Sequence, residues 1–104
     1  MKRGLALSKE LLHSIVNREI VNEFGRKVGQ VLDLVIDKKS GRILAVVAKI
    51  SKSEELLQKL TKDERGNVYI PISVISIIKN EFQIDEKKLR LIILKRKTAQ
   101  KQEF

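Results

Sequence analysis

Two apolar runs on either side of a tight turn constrain the fold of this chain more than any other feature. Residues 28–37 and 42–50 are rich in Val, Ile and Leu, and they are separated by residues 38–41, which end in Gly41. A short connection containing glycine between two such runs is typical of a β-hairpin. Apolar residues at both odd and even positions of 28–37 predict a strand that is covered on both sides or strongly bent around a small core.

The other apolar segments are short and regularly spaced, which favours further strands over long helices. Pro71 ends or borders one of them, because proline cannot donate a hydrogen bond to a neighbouring strand. Phe82 and Ile84 anchor a polar connection near the end of the chain. With the hairpin, these segments predict about six strands and a small, mostly β, antiparallel barrel-like domain. The additional predicted strands are 15–21, 68–71, the end of a segment at 72–78 that begins with a half-turn, and 87–94.

One segment between the strands has a helical pattern. Ser51 and Glu54 have the spacing of a capping box, and an apolar stripe with helical spacing follows at Leu56, Leu57 and Leu60. This predicts a helix of two to three turns that acts as a lid, as an insert that binds a partner, or as a plug at one end of the barrel. The plug is the favoured interpretation. One or two further helical turns are predicted to begin at Ser8 and to end near Ser14.

The charge is unevenly distributed along the 104 residues. The chain has 22 Lys and Arg against 13 Asp and Glu, a formal net charge of +9, but residues 4–86 together carry only +1. The excess lies at the two ends, with +2 in residues 1–3 and +6 in residues 87–104. We therefore predict one domain at 1–94, followed by a basic, flexible C-terminal tail at 95–104.

The residues needed for catalysis or metal binding are scarce. There is no Cys, and His13 is the single histidine, which argues against thiol chemistry, zinc sites and a Ser-His-Asp triad. Asp33 and Asp37 lie about 13 Å apart if they share a strand, which is too far for one metal ion, and Asp37 is better suited to starting a turn. The glycines at 25 and 29 fit bends rather than a phosphate loop, since no helix follows them. We predict no cofactor and no enzymatic activity.

Hydropathy and composition bear on the location and habitat of the protein. No segment has the 18 or more apolar residues of a membrane span, and the apolar stretch at 5–7 is too short for a signal peptide, so we expect a cytoplasmic protein. Abundant Lys, Glu and Ile without Cys match a thermophile, although a mesophile with an A·T-rich genome would have a similar composition.

The hairpin and the residues around it resemble the PRC-barrel family. Residues 24–37 contain a glycine turn and the strand VGQVLDLVID, and residues 38–47 contain a Lys-Lys-Ser-Gly turn followed by the hydrophobic return strand RILAVV. Tyr69-Ile70-Pro71 is similar to the family's strand ending in proline. The resemblance covers roughly residues 5–94, and it is closest to stand-alone archaeal members.

The resemblance implies a small β-barrel without known catalysis in the domain itself. Such domains occur in the photosynthetic reaction-centre H subunit, in a bacterial ribosome-maturation factor and in archaeal proteins, some of which are cell-division adaptors. The leading hypothesis is therefore a non-catalytic protein-interaction module that forms a dimer and binds a protein partner. Its more specific version is an adaptor in archaeal cell division. An RNA- or ribosome-associated factor is the alternative, and a small enzyme is the least supported class.

Two sets of residues are candidate contact sites. The first contains apolar pairs that place side chains on both faces of short strands. The outward members must be covered by the helix at 54–62, by a second copy or by a partner, and we predict a homodimer or partner surface: Val46, Val47, Ile77, Ile78, Ile92 and Ile93. The second is the basic end of the chain, which would neutralise about four phosphates of a nucleic acid or would only increase solubility: Lys95, Arg96, Lys97 and Lys101.

Overall fold

Six strands and two α-helices make up most of residues 14–78 and 81–102, which are the residues described by a computed structural model of the chain. Side chains within the last helix are described as far as residue 96. In chain order the elements are β1 Glu19–Val21, β2 Lys27–Ile36, β3 Ile43–Ile50, α1 Glu55–Gln58, β4 Val68–Pro71, a 3₁₀ turn Ile72–Val74, β5 Ile75–Ile78, β6 Glu81–Ile84 and α2 Glu86–Gln102. The predicted helical turns at residues 8–13 lie outside the described residues, whereas Ser14 is helical.

All six strands belong to one sheet that curves into a half-barrel, in the order β4-β3-β2-β1-β6-β5. The mostly β class and the number of strands are confirmed. The expectation of purely antiparallel pairing is wrong at one place, because β1 and β6 run parallel. The reason is that β5 and β6 join the sheet as a hairpin, and the second strand of that hairpin pairs with β1.

The β2–β3 hairpin is present as predicted, and a bulge explains the apolar residues on both parities of β2. Val31 lies opposite Ala48, but the register shifts before Asp33, so Leu34 lies opposite Val46. All four of these apolar residues are buried. One extra residue in β2 therefore changes which parity points inward, and the strand bends around the core, which is the second of the two predicted possibilities.

The core lies between the concave face of the sheet, α1 and α2. From α1 and the turn after it, Leu57 and Leu60 enter the same buried cluster as the strand residues, which agrees with the plug interpretation. The helix itself has one turn rather than the expected two or three. The capping box does not form, because Ser51 and Ser53 hydrogen-bond to each other and the Glu54 carboxylate binds Arg26.

The strand predicted at 87–94 is wrong, and the sixth strand is instead β6. Residues 87–94 belong to α2, which begins where the Asp85 carboxylate accepts a hydrogen bond from the backbone N–H of Lys88. Leu89 and Ile93 are one helical turn apart, and both are buried against the sheet. The helix runs without a break past residue 95, and the division into a domain at 1–94 and a tail at 95–104 stays a prediction.

Candidate interaction surfaces

Strand β5 forms an apolar edge of the sheet. It pairs with β6 on one side, and no other strand within residues 14–78 and 81–102 pairs with it. Ile77 and Ile78 point to opposite faces of the strand, and they are 59% and 51% exposed. Natural sheet edges commonly carry charged residues or proline that discourage pairing with another chain, but the sequence of β5 is Ile-Ser-Ile-Ile.

The opposite edge of the sheet, β4, is protected. The backbone N–H of Tyr69 donates a hydrogen bond to the carbonyl oxygen of Thr61, and Lys62 forms a bridge with Val68. Pro71 ends the strand and offers no donor. Of the two edges of this half-barrel, β5 is therefore the one whose hydrogen-bonding groups and apolar side chains suit the addition of a strand.

The six residues of the predicted dimer or partner surface differ in burial. Val46 and Ile93 lie in the core, so neither is available to a partner, and their inclusion in a surface is corrected. Val46 points inward because it lies opposite Leu34 across the hairpin, and Ile93 points inward because it lies on the buried face of a helix. Val47 and Ile92 are half-buried. Ile77 and Ile78 are exposed, and their use in binding stays a prediction.

The four basic candidate residues all lie on α2. The side chains of Lys95 and Arg96 are exposed, and those of Lys97 and Lys101 lie outside the described part. Lys95 lies one helical turn after Leu91, and Leu91 and Leu94 are two leucines that the sequence analysis did not select. Both are largely exposed. Assigning residues 87–94 to a strand concealed them, because only a helix places these two leucines on the side opposite Leu89 and Ile93.

Comparison with known proteins identifies the fold. The family model described as the PRC-barrel domain matches residues 8–91, which is most of the chain. The chain belongs to the PRC-barrel family. A relative of this PRC-barrel protein is the uncharacterized protein MJ1118 of the archaeon Methanocaldococcus jannaschii. The two are 28% identical over 78 residues, which are 75% of this chain and 83% of the relative.

A groove of about 490 Å³ lies in the PRC-barrel between the β1–β2 turn, α1 and the start of α2. Its apolar lining includes Val28 and Leu89, and Phe24, which is 87% exposed, stands at the tip of the adjoining turn. Arg26 and Glu54 form an ion pair in the lining. The lining also contains the carboxylates of Glu55 and Glu86, so the groove combines apolar surface with charged side chains.

Two carboxylates of the PRC-barrel stabilise turns instead of forming a site. Asp37 accepts hydrogen bonds from the Ser40 hydroxyl and the Lys39 backbone N–H, and these bonds lower the pKa of Asp37. Desolvation of Asp63 raises its pKa, but hydrogen bonds donated by Asn67 and Arg65 outweigh it, so the pKa is lowered. The predicted turn role of Asp37 is thus confirmed, and the Asp33 carboxylate accepts a hydrogen bond from the neighbouring Leu34 N–H.

The described residues hold no metal-binding constellation. Over 14–78 and 81–102, no three His, Asp or Glu side chains are arranged to hold an ion. Within the same residues, no helix is long and apolar enough to cross a membrane. The single histidine, His13, falls outside the described residues.

Proposed function

We propose that this PRC-barrel protein is a non-catalytic interaction module that works as a homodimer and acts as an adaptor for another protein. The observation that carries the proposal is the apolar, uncharged edge strand β5, with Ile77 and Ile78 both exposed. A sheet edge without charged residues or proline can pair with a strand of another molecule. A second copy of the same chain is present wherever the protein is expressed and offers an identical edge strand.

The homodimer would form by pairing β5 of one copy with β5 of the other. Two antiparallel edge strands related by a two-fold axis satisfy each other's backbone groups and extend the sheet from six strands to about twelve. The two isoleucines of each copy would pack against those of the partner on both faces of the joined sheet. Half-buried Val47 and Ile92 are not on this edge strand and are not needed for the contact.

For the specific form of the adaptor role we propose archaeal cell division, because the chain resembles archaeal family members that are division adaptors. The family match and the uncharacterized archaeal relative support only the family and its occurrence in archaea. The test is affinity purification of the tagged chain from its own cells, with and without nuclease. We expect a division protein that remains after nuclease treatment. Recovery of only RNA-processing proteins, lost with nuclease, would contradict the adaptor role.

A second function, RNA or ribosome association, is favoured by one observation. Residues 87–102 contain seven basic residues and no acidic residue. A helix of this composition would bind phosphates without regard to sequence, and the affinity would fall steeply with salt. Deleting residues 95–104 should then abolish binding to single-stranded RNA. Unchanged binding after the deletion would refute this mechanism.

A further inference from the structure

Helix α2 has a second apolar face, directed away from the core. Leu89 and Ile93 are buried, whereas Leu91 and Leu94 are 55% and 61% exposed. At 100° per residue, the midpoint between Leu91 and Leu94 lies roughly opposite the buried pair. The two leucines are three residues apart, so their side chains are neighbours on the helix surface.

Cations surround these two leucines. Lys87 and Lys95 lie one turn before and one turn after Leu91, and both are exposed. The acidic residue of the helix within residues 86–102, Glu86, forms an ion pair with Arg90 at 2.7 Å. We call Lys87, Leu91, Leu94 and Lys95 the outer patch. The outer patch thus combines two apolar contacts with positive charge.

The combination of exposed leucines and lysines in the outer patch favours some binding partners over others. A second copy placed helix against helix would bring the lysines of the two chains together, and like charges in contact oppose association. A nucleic acid would use the lysines, but it gains little from exposed leucines, since single strands stack on aromatic side chains. A protein segment with acidic residues around two apolar residues uses both features.

We propose that the outer patch of α2 binds an acidic amphipathic segment of a partner protein. The segment would place two apolar residues, three or four positions apart, against Leu91 and Leu94, with Asp or Glu next to Lys87 and Lys95. This inference rests on the proposed role as an interaction module and names the chemistry of the partner. The patch lies on α2 and the proposed dimer contact on β5, so the two contacts use different elements of the fold.

The test uses random 16-residue peptides displayed on phage and selected on the immobilised full-length chain. Selected peptides are then synthesised, and their binding is measured by fluorescence anisotropy. We expect enrichment of peptides with net negative charge and two apolar residues three or four apart. The double variant Leu91→Ser, Leu94→Ser should weaken peptide binding at least about tenfold, because it removes both apolar side chains on which the peptide's apolar residues would pack.

Two further variants control the experiment. Leu44 on β3 is 51% exposed, and Leu44→Ser should leave the affinity within about twofold, because it removes a comparable leucine elsewhere. Lys87→Glu with Lys95→Glu keeps both leucines, and it should weaken binding and reduce its salt dependence. This charge variant keeps the test decisive if the serine variant fails to fold, which circular dichroism would show.

Several results would overturn the proposal. They are the absence of any enriched peptide, enrichment without negative charge, and binding that is unchanged by both patch variants. Tighter binding of a 16-nucleotide polyuridine, or of vesicles with three parts phosphatidylcholine to one part phosphatidylglycerol, would assign the patch to RNA or to a membrane. A variant with Ile77→Lys and Ile78→Lys should still bind the peptides as a monomer, so failure of the dimer and failure of the patch are distinguishable.

Discussion

A Cβ atom placed on Gly29 of β2 would lie 2.5 Å from the carbonyl oxygen of Lys49 on β3. It would also lie 2.5 Å from the Cδ1 atom of Ile50, the residue opposite Gly29 in the hairpin. Gly29 is therefore required because the two strands approach closely just before the bulge in β2, and not because of an unusual backbone conformation.

Substitution of Gly29 by alanine should destabilise the fold. Because backbone cannot move aside as easily as a flexible side chain, we expect Gly29→Ala to lower the free energy of unfolding by about 1–3 kcal/mol. Urea denaturation measures the change. Ser73→Ala, at an exposed position of the 3₁₀ turn, is the control and should stay within about 0.5 kcal/mol of the unaltered chain.

Two leucines on α2 distinguish a helix from the strand predicted at 87–94. In a strand, Leu89 and Leu91 would share one face, but in the helix Leu89 is buried and Leu91 is exposed. Leu89→Ala should therefore cost about 2–5 kcal/mol of unfolding free energy, and Leu91→Ala less than about 0.5 kcal/mol. Equal losses in the two variants, measured by thermal and urea unfolding, would contradict the helix.

The ion pair between Arg26 and Glu54 joins the β1–β2 turn to the start of α1. Arg26 is mostly exposed whereas Glu54 is largely covered, so water and salt screen the attraction. A double-mutant cycle with Arg26→Ala and Glu54→Ala should give a coupling energy of about 0.2–1 kcal/mol. The coupling should decrease at high salt. A salt-independent coupling would indicate that the pair is held by packing.

The hydrogen bond from Ser40 to Asp37 makes a pH-dependent contribution to the β2–β3 turn. The Ser40 hydrogen bond lowers the pKa of Asp37 most, and the hydrogen bond from the Lys39 N–H adds to it. The stabilisation is therefore present at pH values above the pKa that Asp37 has in the unfolded chain, and it is lost as the pH falls through the lowered pKa of the folded chain. In Ser40→Ala, NMR titration should show the pKa of Asp37 rising toward that of an ordinary aspartate. Ser73→Ala should leave it unchanged.

Local patterns in the sequence predicted those elements whose structure depends mainly on their own residues and not on contacts with distant segments. The β2–β3 hairpin, the half-turn before β5 and the turn role of Asp37 follow from turn chemistry and from apolar runs. The bulge after Val31 was not predictable in position, because β2 is apolar at both parities and only pairing with β3 shows where the register shifts.

The end of the chain was mispredicted for a different reason. Residues 89–94 are all apolar except Arg90, and such a short apolar run fits a buried strand or a helix equally well. The cap at Asp85 and the acidic Glu86 at the first position indicated a helix, as did the spacing of Leu89 and Ile93. That error assigned Ile93 to the surface and concealed Leu91 and Leu94.

Sedimentation velocity at micromolar concentration tests the central claim, that the module is a homodimer joined through β5. The unaltered chain should sediment as a species of twice its mass of 11.9 kDa. Ile77→Lys with Ile78→Lys should give the monomer, because two charges per strand oppose pairing of the edges, whereas Leu44→Lys should remain dimeric. A single 11.9 kDa species for the unaltered chain would contradict the account, as would a dimer unaffected by the two lysines.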